Sequence, residues 1–219
     1  MGAIKSSSAP TASRPIKDSQ EPLRRSNVVL VVDDSSKMEE KWKKVEATIE
    51  ALAPMVAKYY RAGLETHFLN YRFVDRSQKR EDVVDLFKIV RPSGQVQIGK
   101  KLRGLLSVYL DDMKNGNSAQ PVQYMVIVNG RPTDKQNENK LGSVLEHVAV
   151  RLDTFRVPPS QIQIQFIYVG DDPSAAEYYE SLASNLETCR NRKMIHVSLQ
   201  PGASLNLVQY LDRDDNPDI

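Results

Sequence analysis

Two hydrophobic rhythms alternate along the chain. Residues 27–32 are apolar without alternation (Val28, Val29, Leu30, Val31, Val32), the pattern of a strand buried on both faces. The next segment changes period. Met38, Trp42, Val45, Ile49, Leu52, Val56 and Tyr60 recur at three- and four-residue steps, which predicts a helix over 38–62 with a core-facing stripe. Pro54 should kink that helix and Gly63 should cap it. Further strands are expected at 64–71, 122–128, 162–169 and 194–199, with a short edge strand at 73–74. Further helices are expected at 81–88, 98–114, 135–155, 174–189 and 204–211. Ile98, Leu102, Leu105, Leu106, Tyr109 and Leu110 form the inward stripe of the second of these, and Leu141, Val144, Leu145, Val148 and Leu152 that of the third. Strands alternating with helices predict an α/β domain: a doubly wound, mostly parallel sheet with helices on both faces.

The first strand stops at Asp33 and Asp34, then Ser35, Ser36 and Lys37. In an open α/β sheet, ligands sit in the crevice outside the carboxyl ends of the strands. The most polar turn of the chain therefore stands where such a fold binds things. Adjacent residues leaving a strand point apart, so Asp33 and Asp34 are not expected to act as an acid/base dyad. The 98–114 helix begins with Lys100, Lys101 and Arg103, where the helix dipole disfavours cations, and this costs stability unless an anion lies close by.

Three segments resemble the von Willebrand factor A (VWA) family over roughly residues 27–211. Asp33, Ser35 and Lys37 fall on that family's Asp-x-Ser-x-Ser turn. Residues 92–99 (PSGQVQIG) are similar to its Gly-Gly-Thr-Pro-Ile-Gly loop, with Val96 at the Thr. Residues 129–134 (NGRPTD) are similar to its Asp-Gly-x-Pro-Thr-Asp segment, with Asn129 at the first Asp. The resemblance implies a Rossmann-like sheet of six strands in the order 3-2-1-4-5-6, its short third strand antiparallel at the edge. It also implies a metal-ion-dependent adhesion site at Asp33, Ser35, Lys37, Val96 and Asn129. Three of those five positions have changed. Val96 has no donor oxygen, Asn129 offers a neutral carbonyl, and Lys37 brings a cation. A hard divalent ion wants oxygen ligands with carboxylate charge. The expectation is a degenerate site without a metal cofactor, in which the Lys37 ammonium replaces the metal and holds Asp33. The alternative is weak Mg²⁺ or Mn²⁺ binding through Asp33 and Ser35.

Composition narrows the class further. The 219 residues are 40% hydrophobic and 26% charged with a net charge of +2, ordinary for one globular domain. Residues 1–25 read as a basic tail, 26–211 as the domain and 212–219 as an acidic tail. A single cysteine, Cys189, excludes an internal disulfide and suits the cytoplasm. His67, His147 and His196 are too scattered for a zinc site. Phosphate-binding glycine loops and a Gly-x-Ser-x-Gly elbow are absent, so no enzyme is expected. No aromatic and basic platform for nucleic acid is visible. Met-Gly-Ala-Ile-Lys-Ser at the start fits the N-myristoylation pattern at Gly2, and with the basic tail it would place the protein at the inner membrane surface. The expected function is that of an interaction module or adaptor. Its partner would be another protein, held through an acidic group by Lys100, Lys101, Arg131 and Lys135 on the rim of the site.

Overall fold

The computed structural model describes residues 27–47, 49–50, 64–72, 80–117, 119–190 and 192–199. Gly2 and both tails, Pro54, Gly63, strand 73–74, helix 204–211 and the side chain of Cys189 lie outside what is described. Among the described residues five strands are present: β1 (Asn27–Val32), β2 (Leu64–Phe68), β3 (Val122–Val128), β4 (Ile162–Tyr168) and β5 (Ile195–Leu199). A 3₁₀ turn at Ser36–Lys41 runs on as helix α1 (42–47 and 49–50). Then come α2 (Arg80–Ile89), α3 (Ile98–Lys114), α4 (Leu141–Phe155) and α5 (Pro173–Arg190).

The sheet is β2-β1-β3-β4-β5, and each pairing is parallel. This corrects the six-stranded, partly antiparallel expectation to five parallel strands among the described residues. The order otherwise follows the expected one once its third strand is set aside. Strand β1 lies between β2 and β3, so the chain order reverses direction there. Its alternate side chains feed two cores. Val29 and Val31 pack on the face covered by α3, α4 and α5, with Leu102, Leu106, Leu145 and Tyr179. Val28, Leu30 and Val32 pack on the other face with Met38, Trp42, Val45 and Phe87. A strand buried on both sides has no polar face, which is why its sequence does not alternate.

Trp42 is a packing residue. Its ring lies 5.2 Å from Phe87 and 6.2 Å from Phe68, and its indole N–H donates to the Phe87 carbonyl at 3.2 Å. Such rings contribute mainly through the area they bury, with the indole N–H satisfied.

Two boundaries differ from the expected ones, for the same kind of reason. Strand β2 ends at Phe68 rather than at residue 71, because the backbone N–H groups of Asn70 and Tyr71 turn to the Asp34 carboxylate (2.7 and 2.8 Å). Helix α4 starts at Leu141, not at 135. The polar residues before it are tied across the loop, with a 3₁₀ turn at Asn137–Asn139. Among the described residues, no helix is long and apolar enough to cross a membrane.

Neighbouring positions on α3 separate core from surface. Leu106 is fully buried and Val108 is 65% exposed. Leu106→Ala should cost about 2–5 kcal/mol in urea unfolding, whereas Val108→Ala should stay within about 0.5 kcal/mol of the wild type. Equal losses for the two would mean that α3 is rotated from the arrangement described.

Candidate functional site

Strand β1 delivers two buried carboxylates to the carboxyl edge of the sheet, and they serve different partners. Asp33 Oδ1 accepts the Ser35 N–H at 2.9 Å and Asp33 Oδ2 accepts the Asn129 N–H at 3.3 Å. It thereby links the end of β1 to the end of β3. Burial raises the Asp33 carboxyl above its ordinary value; the Ser35 hydroxyl and N–H and the Asn129 N–H oppose the shift, and the neighbouring Asp34 adds to it. The Ser35 oxygen is itself fully buried and has no partner at hydrogen-bonding geometry among the described residues.

Asp34 faces the other way. It accepts the backbone N–H groups of Asn70 and Tyr71 and the Asn70 side-chain amide at 3.1 Å. Its carbonyl accepts the Ser93 N–H at 2.7 Å, which fastens the second loop. The Gly94 carbonyl takes the Ser36 N–H at 3.3 Å. One aspartate thus holds β2 and the 91–97 loop to β1.

The second loop does not present Val96 to the polar turn. Val96 is 1% exposed and belongs to the core with Ile98, Leu102 and Val128, as an aliphatic β-branched side chain should. Its carbonyl accepts the Thr133 N–H at 2.8 Å. The family-like Thr position therefore contributes a core residue to the fold and no donor to the site.

The third loop crosses the turn directly. The Asn129 side-chain amide donates to the Lys37 carbonyl at 2.5 Å. An aspartate at 129 has no hydrogen to give, so this tie requires the amide. Gly130, at φ +150°, leaves room for the Lys37 stem; a Cβ there would lie 2.9 Å from Lys37 Cδ and 3.3 Å from its Nζ. The Lys37 side chain is exposed and runs over Gly130; the Asp172 carboxyl is lowered by hydrogen bonds from Ser174 first, with a smaller contribution from the Lys37 charge. The expected contact with Asp33 is not formed. Backbone N–H groups occupy both Asp33 oxygens instead.

The rim residues stand on two elements, Arg131 and Lys135 on the third loop and Lys100 and Lys101 at the start of α3. Arg131 is exposed and stacks on Tyr178 of α5, 5.1 Å from the ring centre. Lys100 and Lys101 stand at the start of α3, Lys100 exposed and Lys101 half-buried. Burial lowers the Lys101 ammonium below the usual lysine range, opposed by the Asp34 carboxylate. Lys135 is exposed on the third loop.

Asp134 is the residue that sequence reasoning missed. Its two oxygens accept the Gly99 and Lys100 N–H groups at 3.0 Å each, capping α3 from another loop. A carboxylate there offsets the cations that follow. The cation-rich start of α3 was the available signal that such an anion had to exist.

Burial of Asp33 makes stability depend on pH. In the unfolded chain Asp33 ionises near the ordinary aspartate value; in the folded protein it holds its proton to higher pH. Its contribution is fully present below the unfolded value and is lost as pH rises through the folded one. Urea unfolding of the wild type and Asp33→Asn from pH 3 to pH 7 should therefore diverge. The wild type should lose ground to the variant as pH rises. A difference that is flat with pH, or of opposite slope, contradicts this.

No protein-family model matches the chain, and no curated protein matches it in sequence. Solved structures do match in shape. Proximal thread matrix protein 1 from the mussel byssus aligns with a TM-score of 0.53 at 12% identity, covering 86% of this chain and 46% of that one. A form of the same protein with a zinc-occupied MIDAS motif aligns at 0.52 and 11% identity, covering 86% and 47%. The pilus adhesin SpaC from Lactobacillus rhamnosus GG, in an open conformation, aligns at 0.53 and 11%, covering 85% and 29%. The chain spans less than half the length of these proteins. Identity this low concerns fold alone, and that fold is a VWA-like, Rossmann-like α/β sheet with helices on both faces.

Proposed function

We propose that this chain is a non-catalytic protein-interaction module that binds an acidic group of its partner without a metal ion. The observation that carries the reading is the tie from the Asn129 amide to the Lys37 carbonyl. It commits to internal structure the position where a metal-bearing relative would offer a carboxylate. Val96 likewise belongs to the core. What remains is one carboxylate, Asp33, with both oxygens already accepting backbone N–H groups, and one hydroxyl, Ser35. That donor set does not suit a hard divalent cation. The positive charge of the face is instead carried by Lys37, Lys100, Lys101, Arg131 and Lys135. Stacking on Tyr178 steadies the Arg131 guanidinium, whose planar fork suits bidentate capture of a carboxylate. Asp33 and Asp34 serve separate backbone partners, which supports a non-catalytic reading.

One observation favours a second reading. The Ser35 oxygen is orphaned beside a buried carboxylate that no cation among the described residues neutralises. Weak Mg²⁺ or Mn²⁺ binding at Asp33 and Ser35 would satisfy both, and the module would then be metal-dependent.

Calorimetric titration with Mg²⁺ and Mn²⁺ separates the two. The wild type should give no saturable heat, nor should Lys37→Ser, while a short polyglutamate peptide binds in metal-free buffer. Lys37→Glu combined with Arg131→Glu should weaken the peptide by roughly tenfold, a loss of about 1.4 kcal/mol. Micromolar metal binding by the wild type, or peptide affinity indifferent to the charge reversals, overturns the metal-free reading. Acylation of Gly2 would add a membrane location to the same module. Intact mass after co-expression with an N-myristoyltransferase decides that point, since an unmodified Gly2 removes the tether.

A further inference from the structure

From the start of α3 toward the amino ends of the strands, a groove lies between α3 and the β2 side of the sheet. Two cavities make it up, about 420 Å³ and 280 Å³, and they share His67 and Leu105 as walls. The larger is lined by Val29, Val108, Tyr109 and Tyr124, with Glu65 and Asp112 among its polar walls. The smaller is lined by Gln97, Lys100, Lys101 and Gly104. Together they fall in the size range of small-molecule sites.

Three features set this groove apart. Lys101 is half-buried in the smaller cavity yet has no ion pair among the described residues. Its ammonium lies below the usual lysine range because burial outweighs the attraction of the Asp34 carboxylate. The His67 side chain is 7% exposed, and its Nε2 meets Glu65 Oε1 at 2.7 Å. Gly104 stands in the middle of α3, where glycine disfavours helix, and a Cβ on it would meet nothing within 4 Å. Packing does not demand that glycine. It keeps the helix surface open beside Lys101. Val108, 65% exposed at the lip of the larger cavity, adds apolar surface that no described residue covers.

We propose that this groove binds a small monocarboxylic acid with an apolar body. The carboxylate sits in the smaller cavity against Lys101, within reach of Lys100 and Gln97. The hydrocarbon or aryl body lies past His67 and Leu105 on Val29, Val108 and Tyr124. A second carboxylate at the far end is disfavoured by Glu65 and Asp112, so a monoacid is selected over a diacid of equal length. The smaller cavity shares Lys100 and Lys101 with the rim of the carboxyl-edge face, but the proposal does not rest on how that face holds a partner, since the body of the acid lies on Val29, Val108 and Tyr124, outside it.

The test is titration of the full chain with octanoate, 1-octanol and octanedioate, followed by calorimetry and by backbone amide resonances. Octanoate should bind saturably and shift Gln97, Lys101, Gly104 and Leu105, with octanol and octanedioate at least tenfold weaker. Lys101→Met should weaken octanoate by tenfold or more, while Lys88→Met, at an exposed lysine of α2, leaves it unchanged. Gly104→Leu occupies the smaller cavity from an unobstructed position and replaces a helix-weakening residue. It should raise the melting temperature and abolish binding, which separates loss of the site from loss of the fold. Absence of saturable octanoate binding overturns the proposal. So does binding that octanol shares equally, or that a folded Gly104→Leu or Lys101→Met protein retains.

Discussion

The architecture depends on two aspartates at the end of β1, whose carboxylates are committed to backbone N–H groups. Burying a carboxylate is costly unless hydrogen bonds replace its water. Asp34 meets that condition with two backbone N–H groups and a side-chain amide, all from Asn70 and Tyr71. Asp33 meets it less fully, with the N–H groups of Ser35 and Asn129, the second at 3.3 Å. Hydrogen bonds to a charged acceptor contribute about 1.5–3 kcal/mol each. The pair thus acts as a bracket that fixes β2, the second loop and the end of β3 around the central strand. Asp33 bears the residual cost, visible as a carboxyl raised by burial.

The bracket explains how loops that resemble a metal site can persist while their ligand chemistry differs. Each altered position answers a neighbouring packing or hydrogen-bonding demand. Val96 fills the core beneath the loop, and its carbonyl holds Thr133. The Asn129 amide holds the Lys37 carbonyl, and Gly170 makes way for it, since a Cβ there would fall 2.4 Å from Asn129 Oδ1. An aspartate at 129 would set a carboxylate against a carbonyl. These positions are coupled, so metal ligands introduced one at a time would meet unfavourable contacts.

The fold was largely legible in the sequence, because periodicity reports burial directly. The unbroken apolar run of β1 and the stripe of α3 follow from what each element faces, and α3 occupies Ile98–Lys114 as the stripe predicts. The site was legible only in part. The turn at Asp33 and the loops at 92–99 and 129–134 come together through β1 and β3 pairing. Which way each side chain points was not readable. Val96 turns inward and the Lys37 stem runs over Gly130, outcomes set by contacts between residues far apart in sequence. The Asp34 tie to Asn70 spans 36 positions and the Asp134 cap on Gly99 spans 35, and no local pattern announces either. The end of β2 shifted because a distant carboxylate outcompeted local propensity, and the start of α4 because a 3₁₀ turn takes up the residues before it.

The Asp134 cap also limits how the carboxyl-edge face can attract an anion. The first N–H groups of a helix are a ready anion site, and at α3 the chain has already filled it with its own carboxylate. In the proposed reading, attraction then comes from side-chain charge at Lys37, Lys100, Arg131 and Lys135, all exposed. Exposed charges act through water and are screened over about 8–10 Å at physiological salt. A partner held this way gains speed and orientation of encounter more than tightness. Stable binding would need an apolar or shape-matched contact beside the charges. Tyr178, half-buried beneath Arg131, offers such a surface within the site. A partner that presents a carboxylate next to an apolar side chain satisfies both the charge and this ring, whereas a polyanion satisfies only the first.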